Sequence, residues 1–130
     1  MRKYLGIDYG DVRIGLALAD ESNLALPFKI IDTDPKLWDT LEALLRSEGI
    51  TDLVVGWPIS MSGAENERTN KTGIFIAELE RRFSLPVHKS DERLSTVAAR
   101  KESSRARVDA QAAAHILQAY LDSHGPYNTV

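Results

Sequence analysis

Asp8 directly follows the apolar run Leu5-Gly6-Ile7. A carboxylate among residues that must be buried is costly unless it is paired or holds a cation; taken alone, Asp8 fits equally well as an acid at a sheet's rim. Asp91 and Glu92 close a later strand-like stretch, and the period of two sends neighbouring side chains to opposite sides, so one of the two shares a face with a given partner. Asp109 lies one residue past Val108 and two turns before Ile116, on or beside the inward stripe of the last helix. Acids from a first strand, a later strand end and a helix can converge at the carboxyl ends of parallel strands, where open α/β sheets build their sites. Donors that are all oxygens select hard cations such as Mg²⁺ or Mn²⁺. The chemistry such a cluster supports is phosphodiester hydrolysis by two metal ions: one activates water, the other stabilises the leaving oxygen, and an aspartate bridges both.

That chemistry needs no Cys, Ser or His nucleophile, and the inventory agrees, with no Cys and three His. His88 lies in a strand, His115 on an apolar stripe and His124 in a C-terminal turn, and each reads as structural or solvated. Neither a G-x-G-x-x-G nor a P-loop pattern is present, so nucleotide-cofactor binding has no support. The basic residues Arg93, Arg100, Lys101, Arg105 and Arg107 face Glu102 alone once Glu92 and Asp109 are given to metal, and they suit tracking of a phosphate backbone. Arg68 and Lys71, near the start of a helix, add to them. A solvated helix face is the alternative for any one of these, and the lack of interleaved aromatics gives no sign of base stacking.

The elements that must position these groups follow from pattern. Three short strands are expected over 4–9, 14–19 and 24–31, with Ile14, Leu16 and Leu18 alternating to one side and Pro27 marking the third as an edge. Asp34-Pro35 reads as a helix N-cap and first helical position, with Leu37, Leu41, Leu44 and Leu45 as the apolar stripe and Gly49 as the stop. Residues 52–57, DLVVGW, suit an interior strand buried on both faces. A second helix over about 65–83 carries Thr72, Phe75, Ile76, Leu79 and Phe83 inward, and a fifth strand covers 86–91. Residues 95–120 are mostly helical with a break near Ser103-Ser104, and Val108, Ala112, His115, Ile116 and Ala119 form the last inward stripe. Ala112 and Ala113 let that helix approach a sheet closely. The order βββαβαβα implies a mixed five-stranded α/β sheet flanked by helices, an antiparallel meander on one side and parallel strands on the other.

With 130 residues, 43% hydrophobic and 27% charged, the chain is read as one globular domain over 1–130, neither low-complexity nor disordered. The absence of Cys removes disulfide scaffolds, zinc ribbons and thiol catalysis. No apolar run approaches a membrane span, and the N-terminus lacks a signal-peptide pattern, so a cytoplasmic protein is expected. The net charge of −3 argues mildly against a nucleic-acid coat protein, yet two bound divalent cations would bring it to +1.

Four segments together resemble the YqgF/RuvX family, whose members have an RNase H-like fold and are similar to RuvC Holliday junction resolvases: LGIDYGDVRIGLALAD (5–20), VVGWPISMSGAENER (54–68), LPVHKSDERLSTVAA (85–99) and VDAQAAAHILQAYLD (108–122). The resemblance implies a metal-dependent endonuclease of pre-16S rRNA 5′-end maturation. It carries Asp8, Glu92 and Asp109 over as the catalytic, metal-binding acids, with Asp8 bridging two ions, and it makes Arg13, Arg68 and Arg93 candidate phosphate ligands. The stretch between Glu92 and Asp109 is shorter than is usual for the family. RuvC-type enzymes carry an acid at the end of the fourth strand; here Gly56-Trp57-Pro58 stands instead, so the second ligand must come from Asp91-Glu92-Arg93, with Asp91 the alternate for Glu92. The competing readings are a resolvase of branched DNA, which calls for a two-fold homodimer, and a non-catalytic nucleic-acid-binding module. An actin-like phosphate loop in DYGDVRIG is set aside, because such proteins close two domains around a nucleotide.

Overall fold

A computed structural model of the chain describes residues 1–59, 62–92 and 109–124. Five strands, β1 (Tyr4–Asp8), β2 (Arg13–Ala19), β3 (Leu26–Asp32), β4 (Asp52–Trp57) and β5 (Val87–Asp91), form one sheet in the order β3-β2-β1-β4-β5. β1 pairs antiparallel with β2 and parallel with β4; β4 and β5 are parallel. The expected mixed sheet is therefore present, with the meander on one side and the crossovers on the other. Pro27 lies on the edge strand β3 beside a register shift at Leu16/Ala17, where a missing N–H disrupts least.

Strand alternation divides the core in two. Leu5, Ile7, Ile14, Leu16, Leu53 and Val55 point to one face, against α1 (Leu37–Glu48) and α2 (Glu67–Arg82). Ala17, Ala19 and Val54 point to the other, against α3 (Ala110–His124). α3 can lie close because the sheet is nearly bare beneath it: a methyl group on Gly6 would come within 2.7 Å of the Leu117 Cβ.

Two local expectations need correction. The α1 N-cap is Lys36 without a side-chain cap bond, not Asp34. Asp34 instead accepts the Lys36 N–H at 2.9 Å through Oδ1 and the Leu37 N–H at 3.0 Å through its carbonyl, a turn that precedes the helix and holds Pro35 outside it. The inward stripe of α3 is Ala112, Ala113, Ala114, Ile116, Leu117 and Leu121, whereas His115 and Ala119 are only half-buried. An imidazole has no room where a helix rides on glycine and alanine, so His115 turns to the rim, 3.3 Å from Gln111 Nε2. Val108 and the expected helical stretch over 95–107 lie outside the described residues.

Candidate active site

Asp8 is the last residue of β1 and is 1% exposed. It shares the α3 face with Gly6, two residues earlier, and stands directly opposite Gly15 on β2. The parallel register on its other side, Ile7 with Val55, continues to bring Asp8 level with Gly56 of β4. Asp8 thus occupies the middle of a row whose two flanking positions carry no side chain.

The Gly15 gap is filled by the segment that bears Asp109, and the Gly56 gap by Ile116 of α3 together with Glu92. The backbone carbonyl of Asp109 lies where a Gly15 side chain would begin. Asp109 is the residue before α3, half-buried, and its Oδ1 accepts the Ala112 N–H at 2.6 Å while its carbonyl accepts the Ala113 N–H at 3.2 Å. It therefore caps α3 from just outside it, a short step from the stripe position expected. On the β4 side, Oε1 of Glu92 lies 3.0 Å from the place of a Gly56 Cβ, and Glu92 is 3% exposed. Glu92 follows Ser90, whose hydroxyl donates to the Ile116 carbonyl at 3.0 Å, on the α3 face. Asp91 alternates to the face of Lys89, whose ammonium sits 4.0 Å above the Trp57 ring. Of the two acids left open by the sequence, Glu92 is the one on the face of Asp8.

The start of α2 is tied to the same end of the sheet. Asn66 caps it, accepting the Thr69 N–H at 3.1 Å while Thr69 Oγ1 accepts the Asn66 N–H at 3.1 Å. The buried Thr69 hydroxyl also donates to the Pro58 carbonyl just past β4, at 2.7 Å. This anchor fixes Arg68, whose Nη1 and Nη2 fork the two oxygens of Glu92 at 3.5 and 3.4 Å. Lys71, one turn on, bonds Asp11 at 3.0 Å and pairs with Glu67 at 3.4 Å. Between the β1–β2 turn and α2 lies a cleft of about 380 Å³, lined by Tyr9, Gly10, Asp11, Arg68, Lys71 and Thr72 among others. Its floor is firm: Tyr9 stacks on Phe75 with ring centroids 4.4 Å apart, and burial, then the Asp11 charge, pushes its phenol above the ordinary value. The turn is braced from behind, where Thr33 donates through Oγ1 to the Gly10 carbonyl and through its N–H to the Val12 carbonyl, both at 2.9 Å.

Arg13 opens β2, exposed, two residues from Gly15 and so on the face of Asp8. The structure thus brings Asp8, Glu92, Asp109, Arg13, Arg68 and Lys71 to one end of the sheet. Arg93, Arg100, Lys101, Arg105 and Arg107 lie outside the described residues. Among the described residues no three His, Cys, Asp or Glu side chains are gathered closely enough to hold an ion as they stand. The donor set nevertheless suits a hard cation: carboxylates only, at one end of the sheet, with Glu92 Oε1 reaching over Gly56 on the face of Asp8. Sequence reasoning missed Asn66 and Thr69, whose N-x-x-T spacing imitates a capping box with threonine in place of Glu or Gln. It also missed Asp11 as the partner of Lys71, which no sequence spacing signals.

Residues 2–123 match the sequence model of the family described as RuvX, Holliday junction resolvase. The chain belongs to the RuvX family. Among its relatives, a protein of Maridesulfovibrio salexigens named "Putative pre-16S rRNA nuclease" is 37% identical, with 92% of this chain and 97% of that protein covered. A Geobacillus kaustophilus protein of the same name is 39% identical over 92% of this chain and 96% of its own length. Among solved structures, Thermus thermophilus RuvC bound to a Holliday junction substrate superposes with a TM-score of 0.59 at 17% identity, covering 95% of this chain and 97% of that one. The RuvX chain therefore has the RNase H-like fold of RuvC. No helix among the described residues is long and apolar enough to cross a membrane.

Proposed function

We propose that this RuvX chain is a divalent-metal-dependent endonuclease that hydrolyses phosphodiester bonds in the 5′-end maturation of pre-16S rRNA in the cytoplasm. The observation that carries the reading is the row Gly15, Asp8, Gly56, with Asp109 filling one gap and Glu92 entering the other. Relatives at 37 and 39% identity that are named pre-16S nucleases support the substrate. In this reading Asp8, Glu92 and Asp109 would hold Mg²⁺ or Mn²⁺, two ions in all, and the metal would supply an activated water and charge for the leaving oxygen. The chain's own residues do the rest. β1 holds Asp8 rigidly at the strand end, the Asp109 cap ties α3 to that end, and Arg13, Arg68 and Lys71 present positive charge to the phosphates on either side.

The family description and the fold of RuvC favour a second reading, resolution of branched DNA, which would need a two-fold pair of chains. Single-turnover cleavage with Mn²⁺ or Mg²⁺ separates the two, using a pre-16S 5′-leader RNA and a mobile four-way DNA junction with wild type and Asp8→Asn. Cutting of the RNA alone, lost in the isosteric variant while its circular dichroism is unchanged, is the expected result. Symmetric nicking of the junction would transfer the chain to the second reading. Binding of both substrates without cutting of either would reduce it to a binding module.

A further inference from the structure

One side chain joins the acids at this end of the sheet to the cleft. Arg68 lines the cleft, and its guanidinium forks Glu92. The exposure of the pair is lopsided, with side chains 44% exposed for Arg68 and 3% for Glu92. A carboxylate that deeply buried needs positive charge beside it, whereas the guanidinium has solvent to return to. The contacts, at 3.4 and 3.5 Å, are long for a guanidinium–carboxylate fork, which closes to roughly 2.7–2.9 Å when well made, so little is lost when they are exchanged. The backbone beneath Arg68 is held by Asn66, Thr69 and Pro58, so exchange requires the side chain alone to move.

We infer that Arg68 is a replaceable stand-in for the cation, neutralising Glu92 in the metal-free protein and freed for a substrate phosphate in the cleft once Glu92 turns to metal. The inference rests on the metal-dependent reading above and assigns a regulation to that site. The Glu92 contact occupies the end-on edge of the guanidinium, Nη1 and Nη2 together, so a phosphodiester can take that edge only with Arg68 withdrawn from Glu92. Cation and phosphodiester therefore favour the same state, with Arg68 withdrawn from Glu92, and each must raise the other's affinity by the same factor. Metal-free protein would hold nucleic acid weakly, and the site would fill its two requirements together. Lys71 supplies the control, because it sits in the same cleft with the same charge and bonds Asp11 and Glu67.

The test is calorimetric titration of Mn²⁺ into wild type, Arg68→Gln, Arg68→Lys and Lys71→Gln. It is paired with metal-free melting temperatures and with the affinity for a phosphorothioate oligonucleotide with and without Mn²⁺. Arg68→Gln should bind Mn²⁺ about five-fold more tightly, melt lower without metal, and lose the metal-induced gain in oligonucleotide affinity. Lys71→Gln should stay within about two-fold of wild type for Mn²⁺ while binding the oligonucleotide less well. Arg68→Lys, which keeps the charge without the fork, should recover part of the melting temperature and guards against a folding defect in the glutamine variant. Unchanged or weaker Mn²⁺ binding by a folded Arg68→Gln would overturn the inference. So would equal tightening in Lys71→Gln, which would reduce the effect to general charge. Absence of Mn²⁺ binding in every protein would instead sink the metal-dependent reading, and the inference with it.

Discussion

At the residue scale, the two glycines beside Asp8 do as much to shape the candidate site as the acids. A methyl at Gly15 would fall on the Asp109 backbone, which cannot yield without lifting the start of α3 from the sheet. A methyl at Gly56 would meet Ile116 Cδ1 at 2.7 Å and Glu92 Oε1 at 3.0 Å, both ends of side chains that can turn away. Gly15→Ala should therefore destabilise by roughly 3 kcal/mol, toward the upper end for overpacked cores, and Gly56→Ala by about 1 kcal/mol. Activity should rank differently from stability. Gly56→Ala displaces Glu92 from the side of Asp8, so its cleavage rate should drop about ten-fold or more although most of its stability survives. Urea unfolding and single-turnover cleavage on the same preparations check both, and a Gly56→Ala enzyme of wild-type rate would remove Glu92 from the site. Asp8 and Asp109 draw notice in the sequence because each interrupts an apolar pattern. The glycine gaps do not, since only the register of three strands shows that Gly15 and Gly56 flank Asp8. The same register puts Glu92, and not Asp91, on the face of Asp8, which period-two reasoning alone leaves open.

At the element scale, β4 has a polar anchor at the end opposite the site. Asp52 is 1% exposed and accepts from Arg2 at 2.8 Å to each oxygen and from Thr51 Oγ1 at 2.7 Å, with His88 Nε2 of β5 at 3.0 Å. His88 in turn stacks on Tyr120 of α3, linking two strands, the N-terminal segment and a helix. Burial pushes the Asp52 carboxyl up, but the hydrogen bonds from His88, Thr51 and Arg2 outweigh it and hold the group below its ordinary value of 3.8. A carboxyl depressed in the folded state stabilises fully above its unfolded value, and that contribution is lost as pH falls through the folded one. Asp52→Asn should therefore cost about 2 kcal/mol at pH 7, and the gap to wild type should narrow as pH falls below the ordinary value of 3.8. Urea midpoints taken down through that value read it directly; a gap that persists unchanged into acid would mean that the carboxylate charge is not what the anchor uses. Nothing in the sequence marked this anchor, because Asp52 reads as the polar edge of an apolar strand and its partners come from residues 2 and 88. Elements defined by their own periodicity, such as β4 and α2, were legible throughout. The start of α1 and the stripe of α3 were misread because an Asx turn and a glycine-floored sheet overrode local pattern.

At the scale of the whole molecule, a chain of net charge −3 must draw a polyanion to one end of its sheet. The described part of that end is net acidic, with Arg13, Arg68 and Lys71 against Asp8, Asp11, Glu67, Glu92 and Asp109, and its cations are already engaged: Arg68 faces Glu92, and Lys71 faces Asp11 and Glu67. Such pairs hold phosphate weakly until their acids are otherwise engaged. Five of the chain's 16 Lys and Arg residues fall between Glu92 and Asp109 in sequence, and Arg105 and Arg107 stand within a few residues of Asp109 along the chain. Replacing both by Ala should weaken substrate binding strongly at low salt and little at high salt. If each neutralises one phosphate, the slope of log affinity against log salt should fall by roughly 1.5, since each released contact contributes about 0.7 on single strands and 0.9 on duplex. Fluorescence anisotropy with Ca²⁺ in place of the active metal, from low to moderate KCl, measures that slope without cleavage. A loss of affinity of equal size at every salt concentration would mean that the pair acts on the fold, leaving the attraction to nucleic acid with Arg13, Arg68 and Lys71 at the strand ends.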